Sequence, residues 1–134
     1  MKLSESVDFF KALANRDRLR IVYLLYKRQY LYLSDIVRLT GIVQSQLTRD
    51  VKQLHKARVA NYFPASNKKY RSLFRIKELV PLFEGIYKYH ESEELKDLLA
   101  EHDKQFQRGN LDILKDKGLS GYVKIHIKND LDKI

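Results

Sequence analysis

The most informative stretch for predicting the fold lies in the middle of the chain, and it reads Val43-Gln44-Ser45-Gln46-Leu47-Thr48-Arg49-Asp50-Val51-Lys52-Gln53-Leu54. At 3.6 residues per turn, its pattern predicts a helix with two contrasting stripes. We expect the apolar stripe to face the protein core, and it consists of Val43, Leu47, Val51 and Leu54. The opposite stripe has three cations, one hydroxyl and no acid, and it consists of Ser45, Arg49, Lys52 and Lys56.

A shorter helix is predicted just before this stretch. It covers residues 34–40, with Ser34 as its N-cap, and Gly41 ends it. A short helix, a glycine turn and a second amphipathic helix form a helix-turn-helix. These two helices alone leave one alternative open, which is an ordinary helical hairpin with a solvated basic face.

The polar side of the second helix suggests contacts with a DNA duplex. Gln, Ser, Thr and Arg side chains can read the donors and acceptors on base edges in a major groove. Lysines further along the helix suit phosphates. We therefore predict base reading by Gln44, Ser45, Gln46, Thr48 and Arg49, and backbone contacts by Lys52 and Lys56.

A β-hairpin is predicted directly after the helix. Residues 59–63 and 70–76 are rich in strand formers, and residues 64–69 between them form a turn-rich basic loop. A hairpin in this position is a wing, although a plain solvated hairpin is the alternative. As a wing, it would touch the DNA backbone or minor groove through Lys68, Lys69 and Arg71.

Composition limits the classes of protein that fit. A chain of 134 residues with 44% hydrophobic content predicts one globular domain with a real core. The absence of cysteine excludes disulfides and thiolate metal sites. The longest apolar run, residues 21–26, is too short to span a bilayer. No secretory signal pattern stands at the N-terminus, so we expect a cytoplasmic protein without a membrane partner.

The net charge of +9 is unevenly distributed. Residues 1–76 carry +11 and residues 77–134 carry −2, so the basic excess belongs to the part with the helix-turn-helix. A polyanionic partner for that part follows naturally. Charge alone does not exclude a merely solvated basic surface.

Two helices are predicted at the start of the chain. The first covers residues 4–14, with Ser4 or Ser6 as its cap, and the second covers residues 16–27, with Asn15 as its cap. The second has a broad apolar face and is expected to be central and buried. Residues 30–32 favour a short extended segment.

Residues 7–90 resemble the ArsR-type winged helix-turn-helix repressors. The family run Leu-x-Ala-Leu-Ala, Asn or Asp, two residues and Arg-Leu-Arg-Ile is similar to residues 10–21. The family's recognition-helix pattern, Gln-Ser-x-aliphatic-Ser/Thr-Arg/Gln-His-Leu-Lys-x-Leu, is similar to residues 44–54. The resemblance implies a mainly α fold with a small β-hairpin wing. It also implies a homodimer on a palindromic operator, released by an inducer.

Three positions depart from the family pattern. Asp50 replaces the usual His, and because it lies near the core edge of the helix we expect it to pair with a neighbouring arginine. Val43 stands where the family often has a serine cap, whose loss costs about 1 kcal/mol. Arg58 replaces the glycine before the wing strand.

Two further helices are predicted over residues 78–90 and 91–108, with Pro81 in the first turn of one and Ser92 capping the other. In the family, the first and last helices form the dimer interface. The candidate interface is therefore Val7, Phe10, Leu79, Leu82, Phe83, Ile86 and Tyr87. The alternative is that the apolar face of residues 79–87 packs only inside its own subunit.

The remaining residues form a tail. A short helix over residues 110–117 and a strand over residues 122–128 are predicted, and the strand has no identified partner. We divide the chain into a DNA-binding region (1–77), C-terminal helices for dimerisation (78–108) and a tail of unknown role (109–134).

No catalytic or metal site is predicted. The chain has no Gly-rich phosphate loop and no recognisable catalytic constellation, so we expect no enzyme and no cofactor. The family's metal sensors use cysteines, or acids and histidines on the last helix. The four histidines here do not reproduce that spacing, and they are His55, His90, His102 and His126.

The sequence thus predicts a sequence-specific regulator of double-stranded DNA, a repressor of the ArsR type, whose effector is unknown. One alternative is a winged-helix replication initiator from a plasmid or virus. Another is an adaptor that chiefly binds a second protein. The basic N-terminal part favours either DNA-binding function over the adaptor.

Overall fold

A computed structural model describes residues 2–63 and 71–115. Within them, six α-helices, three short strands and two 3₁₀ turns follow one another. The helices are α1 (Leu3–Leu13), α2 (Arg16–Arg28), α3 (Leu33–Thr40), α4 (Gln44–Lys56), α5 (Val80–His90) and α6 (Glu93–Gln107). The strands are β1 (Tyr30–Tyr32), β2 (Ala60–Phe63) and β3 (Ser72–Arg75), and the 3₁₀ turns are Lys77–Leu79 and Asp112–Leu114. The predicted mainly α architecture is confirmed.

Helices α3 and α4 form the predicted helix-turn-helix. Gly41 joins them with φ of +73°, in the left-handed region that glycine enters at low cost, and its N–H donates to the Val37 carbonyl at 2.9 Å. The prediction that Ser34 caps α3 is wrong. The helix begins one residue earlier, at Leu33, because the chain enters it directly from β1.

The first two helices agree with the sequence in extent, but only one cap is as predicted. Helix α1 begins at Leu3, before both Ser4 and Ser6, so neither serine stands at the N-cap position. Asn15 does cap α2, because its side-chain oxygen accepts from the Arg18 backbone N–H at 3.0 Å. Ser92 caps α6 in the same way, accepting from the Leu95 backbone N–H.

The strands form one antiparallel sheet in the order β1-β3-β2. Strands β2 and β3 are the predicted wing hairpin, with Tyr62 opposite Leu73. The extended segment at residues 30–32 is confirmed as β1, which places Leu31 opposite Leu73 on the other side. Leu31 and Leu73 are both buried, so the sheet is fixed to the core through its middle strand.

The core lies between α2, the helix-turn-helix and the last two helices. Helix α2 is central as predicted, with five consecutive buried residues from Ile21 to Leu25. Leu47, Val51 and Leu54 of α4 are completely buried. Val43 is not part of this stripe: it is 70% exposed, because it is the extended N-cap residue and precedes the helical periodicity.

The start of the predicted tail packs against α3. Within the described part of the predicted helix over residues 110–117, which ends at residue 115, residues 112–114 form a 3₁₀ turn and no α-helix is present. The Asp35 carboxylate accepts from the backbone N–H groups of Asp112 and Ile113, at 2.6 and 3.1 Å. Leu111 and Ile113 are buried in a small cluster with Tyr32. The strand predicted over residues 122–128 lies outside the described residues.

The helices in residues 2–63 and 71–115 are all too short or too polar to cross a membrane.

Candidate nucleic-acid interface

The outer surface of α4 carries the residues predicted to read bases. Gln44, Ser45 and Arg49 are exposed, whereas Gln46 and Thr48 are half-buried. The Thr48 hydroxyl donates to the Gln44 carbonyl at 3.0 Å, which orients it along the helix. Three of the five predicted base-reading side chains are thus exposed on the outer surface of α4.

This surface is positively charged because its one acid is hidden. Asp50 is only 1% exposed, although it belongs to a helix that otherwise carries cations on its polar side. Its Oδ1 accepts from Nε2 of Gln46 at 3.0 Å and lies 3.4 Å from Nη1 of Arg18 on α2. The expected pairing with an arginine is confirmed. Both partners bond to Oδ1, whereas Oδ2 is buried without a hydrogen-bond partner, so they compensate for only part of the hydration that the carboxylate loses in the core.

Arg49 contacts Gln46. Its Nη2 donates to Oε1 of Gln46 at 2.7 Å, one helical turn earlier. Two side chains that were both assigned to base reading are therefore bonded to each other.

The candidate backbone contacts lie at the two ends of the interface. Lys52 and Lys56 are exposed on α4, and Lys56 lines a surface groove with Asp8 and Lys11 of α1. Arg71 precedes β3 and is half-buried, with Nη1 at 3.5 Å from the Tyr62 hydroxyl. Lys68 and Lys69 lie outside the described residues.

Two residues that support this surface could not be predicted from the sequence. Nδ1 of His55, at the end of α4, accepts from the Tyr62 backbone N–H at 3.3 Å and so joins α4 to the wing hairpin. Arg18 belongs to the family motif at residues 10–21, but its bond to Asp50 joins residues that are 32 positions apart. Local periodicity carries no signal for either contact.

The candidate dimer interface divides into exposed and buried residues. Val7, Phe10 and Leu82 are 43%, 59% and 39% exposed, and Leu79 and Ile86 are half-buried. Phe83 and Tyr87, however, are buried inside the subunit at 6% exposure each, as in the alternative in which this face packs within its own subunit. Their place in a dimer interface stays a prediction. Tyr87 is held between α2 side chains, with its ring 5.0 Å from Tyr23 and 5.6 Å from Tyr26.

Comparison with known proteins identifies the fold. No family model and no curated protein matches the sequence. Among solved structures, HlyU from Vibrio cholerae N16961 is similar over 69% of this chain and 100% of its own length, with a TM-score of 0.57 and 19% sequence identity. A three-stranded sheet behind a helix-turn-helix, arranged as in HlyU, is the winged helix-turn-helix fold, and this chain has that fold.

Proposed function

We propose that this protein is a sequence-specific regulator of transcription that binds double-stranded DNA and acts as a repressor of the ArsR type. The observation that carries the proposal is the outer surface of α4, which presents Gln44, Ser45 and Arg49 and has no exposed acid. In a winged helix-turn-helix fold, this helix is the one that enters the major groove. The sequence motifs at residues 10–21 and 44–54 support the ArsR type.

The proposed regulator acts as a homodimer on a palindromic site. Supporting this, α1 exposes an apolar stripe of Leu3, Val7 and Phe10 at 81%, 43% and 59%. Their spacing of four and three residues places them on one side of the helix. A twofold dimer through this stripe presents two copies of α4, and a two-fold protein matches a palindromic duplex.

DNA binding is tested by selecting bound fragments from a pool of random duplexes. We expect an enriched consensus with two inverted half-sites. A direct repeat, or no enrichment over the starting pool, would reject the palindromic operator.

Salt dependence tests the phosphate contacts. Lys52→Ala should weaken binding to the selected site and to a scrambled duplex equally, and should reduce the slope of log affinity against log salt by about 2, because the dimer loses one phosphate contact in each subunit. Glu93→Ala on α6 is the matched control, because this exposed residue lies on a helix distant in sequence from α4. An unchanged slope in Lys52→Ala would remove this residue from the interface.

The dimer is tested by Phe10→Asp. Burying a carboxylate in the apolar stripe of α1 should convert the dimer to a monomer in sedimentation at micromolar concentration. Asn61→Asp places the same charge on the exposed surface of β2, outside the regions assigned to dimerisation, and should leave the dimer intact. A wild-type monomer, or a Phe10→Asp dimer, would contradict the assigned surface.

A further inference from the structure

We propose that Arg18 and Asp50 are positioning residues which, through Gln46, hold the guanidinium of Arg49 ready for base reading. These four residues form a continuous hydrogen-bonded series, which we call the α4 relay. In this relay Gln46 orients Arg49 and does not itself read a base. The inference rests on the proposed DNA-binding function and adds residues that determine its specificity.

The relay begins at a fixed point on α1. Nε of Arg18 donates to the Ala12 carbonyl at 2.6 Å, and Nη2 lies 3.4 Å from the Lys11 carbonyl. These carbonyls belong to the last turn of α1, where backbone acceptors lack partners within the helix and favour a cation. The Arg18 side chain is 12% exposed. The guanidinium has three acceptors around it, one at 2.6 Å and two at 3.4 Å, and they restrict its orientation.

Asp50 determines which way the Gln46 amide faces. An ionised carboxylate only accepts hydrogen bonds, so Gln46 must present its NH₂ group to Oδ1 of Asp50, at 3.0 Å. The carbonyl oxygen of the same amide then faces Arg49. A histidine at position 50 can both donate and accept, so it would not impose this orientation.

The orientation of the Gln46 amide positions the side chain of Arg49. Oε1 of Gln46 accepts from Nη2 of Arg49 at 2.7 Å, although the Arg49 side chain is exposed. A guanidinium has five N–H donors, so one bond to Gln46 leaves enough for a bidentate pair with guanine. An arginine already held in place loses less conformational entropy on binding than a free one.

Asp50→Asn tests the relay with almost no change of shape. Arg18 and Gln46 both bond to Oδ1 of Asp50, and in the asparagine this oxygen is neutral and a weaker acceptor than a carboxylate. The Gln46 amide is then no longer held in one orientation, so it no longer holds Arg49 in place. We expect the ratio of specific to non-specific affinity to fall by about tenfold, within the range of one lost bidentate contact. Affinity for a scrambled duplex should remain that of the wild type. Asp97→Asn, an exposed residue on α6 with the same charge change, should keep the wild-type ratio.

A second variant provides a rescue. When Asp50→Asn is combined with Gln46→Glu, the new carboxylate accepts from Arg49 and from the asparagine NH₂, which takes the position of Oδ1 of Asp50. Arg18 then keeps its bond to the Ala12 carbonyl, and the net charge returns to that of the wild type. We expect this double variant to recover the affinity ratio. A loss of specificity caused only by a damaged core would not be restored by a change at half-buried Gln46.

The base position at which discrimination is lost identifies the role of Gln46. In the relay, Gln46→Ala and Asp50→Asn lose discrimination at the same base pair as Arg49→Lys. If Gln46→Ala instead loses discrimination at a different base pair, Gln46 reads that base and the relay is rejected. This measurement also decides the question if Asp50→Asn does not fold.

The failure of the relay is distinct from the failure of the proposed function. If the wild-type protein prefers no duplex over a scrambled one, the proposed function fails first. If the wild type has a preference and Asp50→Asn keeps the full ratio, the function stands and the relay is overturned.

Discussion

The two helices of the helix-turn-helix each bury one aspartate, and the two carboxylates have different partners. Asp35 of α3 is 2% exposed and accepts from two backbone N–H groups that lie 77 and 78 positions away. Asp50 of α4 is 1% exposed and accepts from the side chains of Arg18 and Gln46. The first carboxylate therefore fixes the path of the chain, and the second fixes the orientation of side chains.

The surroundings of Asp35 also change its pKa. Burial raises its pKa to about 6, even though the N–H groups of Asp112 and Ile113 act in the opposite direction. The Asp112 carboxylate raises this pKa further, and Arg38 at 4.0 Å lowers it only partly. Arg38 also donates to the Asn110 carbonyl, so it contacts the same segment that Asp35 holds. Backbone dipoles anchor this carboxylate without a full counter-charge beside it.

The largest expected effect is on the pH dependence of stability. Because the pKa of Asp35 is raised from 3.8 to about 6, the folded state holds its proton more tightly than the unfolded state. The resulting stabilisation is complete below about pH 4 and is lost as pH rises through about 6. At 1.36 kcal/mol per pKa unit it amounts to about 3 kcal/mol. The difference in free energy of unfolding between wild type and Asp35→Asn, measured in urea from about pH 3 to about pH 7, should fall by that amount as pH rises.

Asp103 provides the contrast of sign. Burial raises the pKa of this carboxyl, but hydrogen bonds from His102 and Arg28 outweigh burial and bring it below its ordinary value. Arg28 contacts both carboxylate oxygens at 2.8 Å. The stabilisation from Asp103 is therefore present above about pH 4 and is lost as pH falls below it. The difference in free energy of unfolding between wild type and Asp103→Asn should thus grow as pH rises, whereas the difference for Asp35→Asn should fall. If both differences in free energy of unfolding changed with pH in the same direction, both assignments would be contradicted.

A smaller effect is expected from removing the Asp35 anchor. Asp35→Ala leaves two buried N–H groups without acceptors, and relief from the buried charge offsets part of that cost. We expect a local loss of about 2 kcal/mol, which corresponds to roughly thirtyfold faster hydrogen exchange at Asp112 and Ile113. Amides in α4 should exchange at the wild-type rate, because Asp50 holds side chains and not this segment. Faster exchange throughout the chain would show that the two anchors are not independent.

The smallest effect is expected at the turn between the two helices. Gly41 has φ of +73° and no atom within 4 Å of an added Cβ, so Gly41→Ala meets backbone strain without a clash. We expect a loss of about 1 kcal/mol in the free energy of unfolding. Gly41→Asn should cost less, since asparagine tolerates the left-handed region better than alanine. If alanine and asparagine cost the same, strain at this turn is not the cause.

Several features of the fold were predictable from the sequence because they are local. Helical periodicity correctly placed Leu47, Val51 and Leu54 in the core, and Asn15 and Ser92 act as caps through bonds to residues three positions away. The errors arise where a neighbouring element sets the boundary. Ser34 lost its cap position because β1 runs straight into α3, and Val43 left the apolar stripe because it precedes the first turn of α4.

The sequence by itself determined the helices, the hairpin and the cationic stripe of α4, because each depends on spacings of two to four residues. Which part of the apolar face of α5 is covered depends on tertiary packing, because the rings of Tyr23 and Tyr26 on α2 pack against Tyr87. The same is true of the bonds from Asp35 to the segment at Ile113 and from Asp50 to Arg18. Burial makes a hydrogen-bond partner necessary for such a carboxylate, but packing between distant elements selects which partner it is.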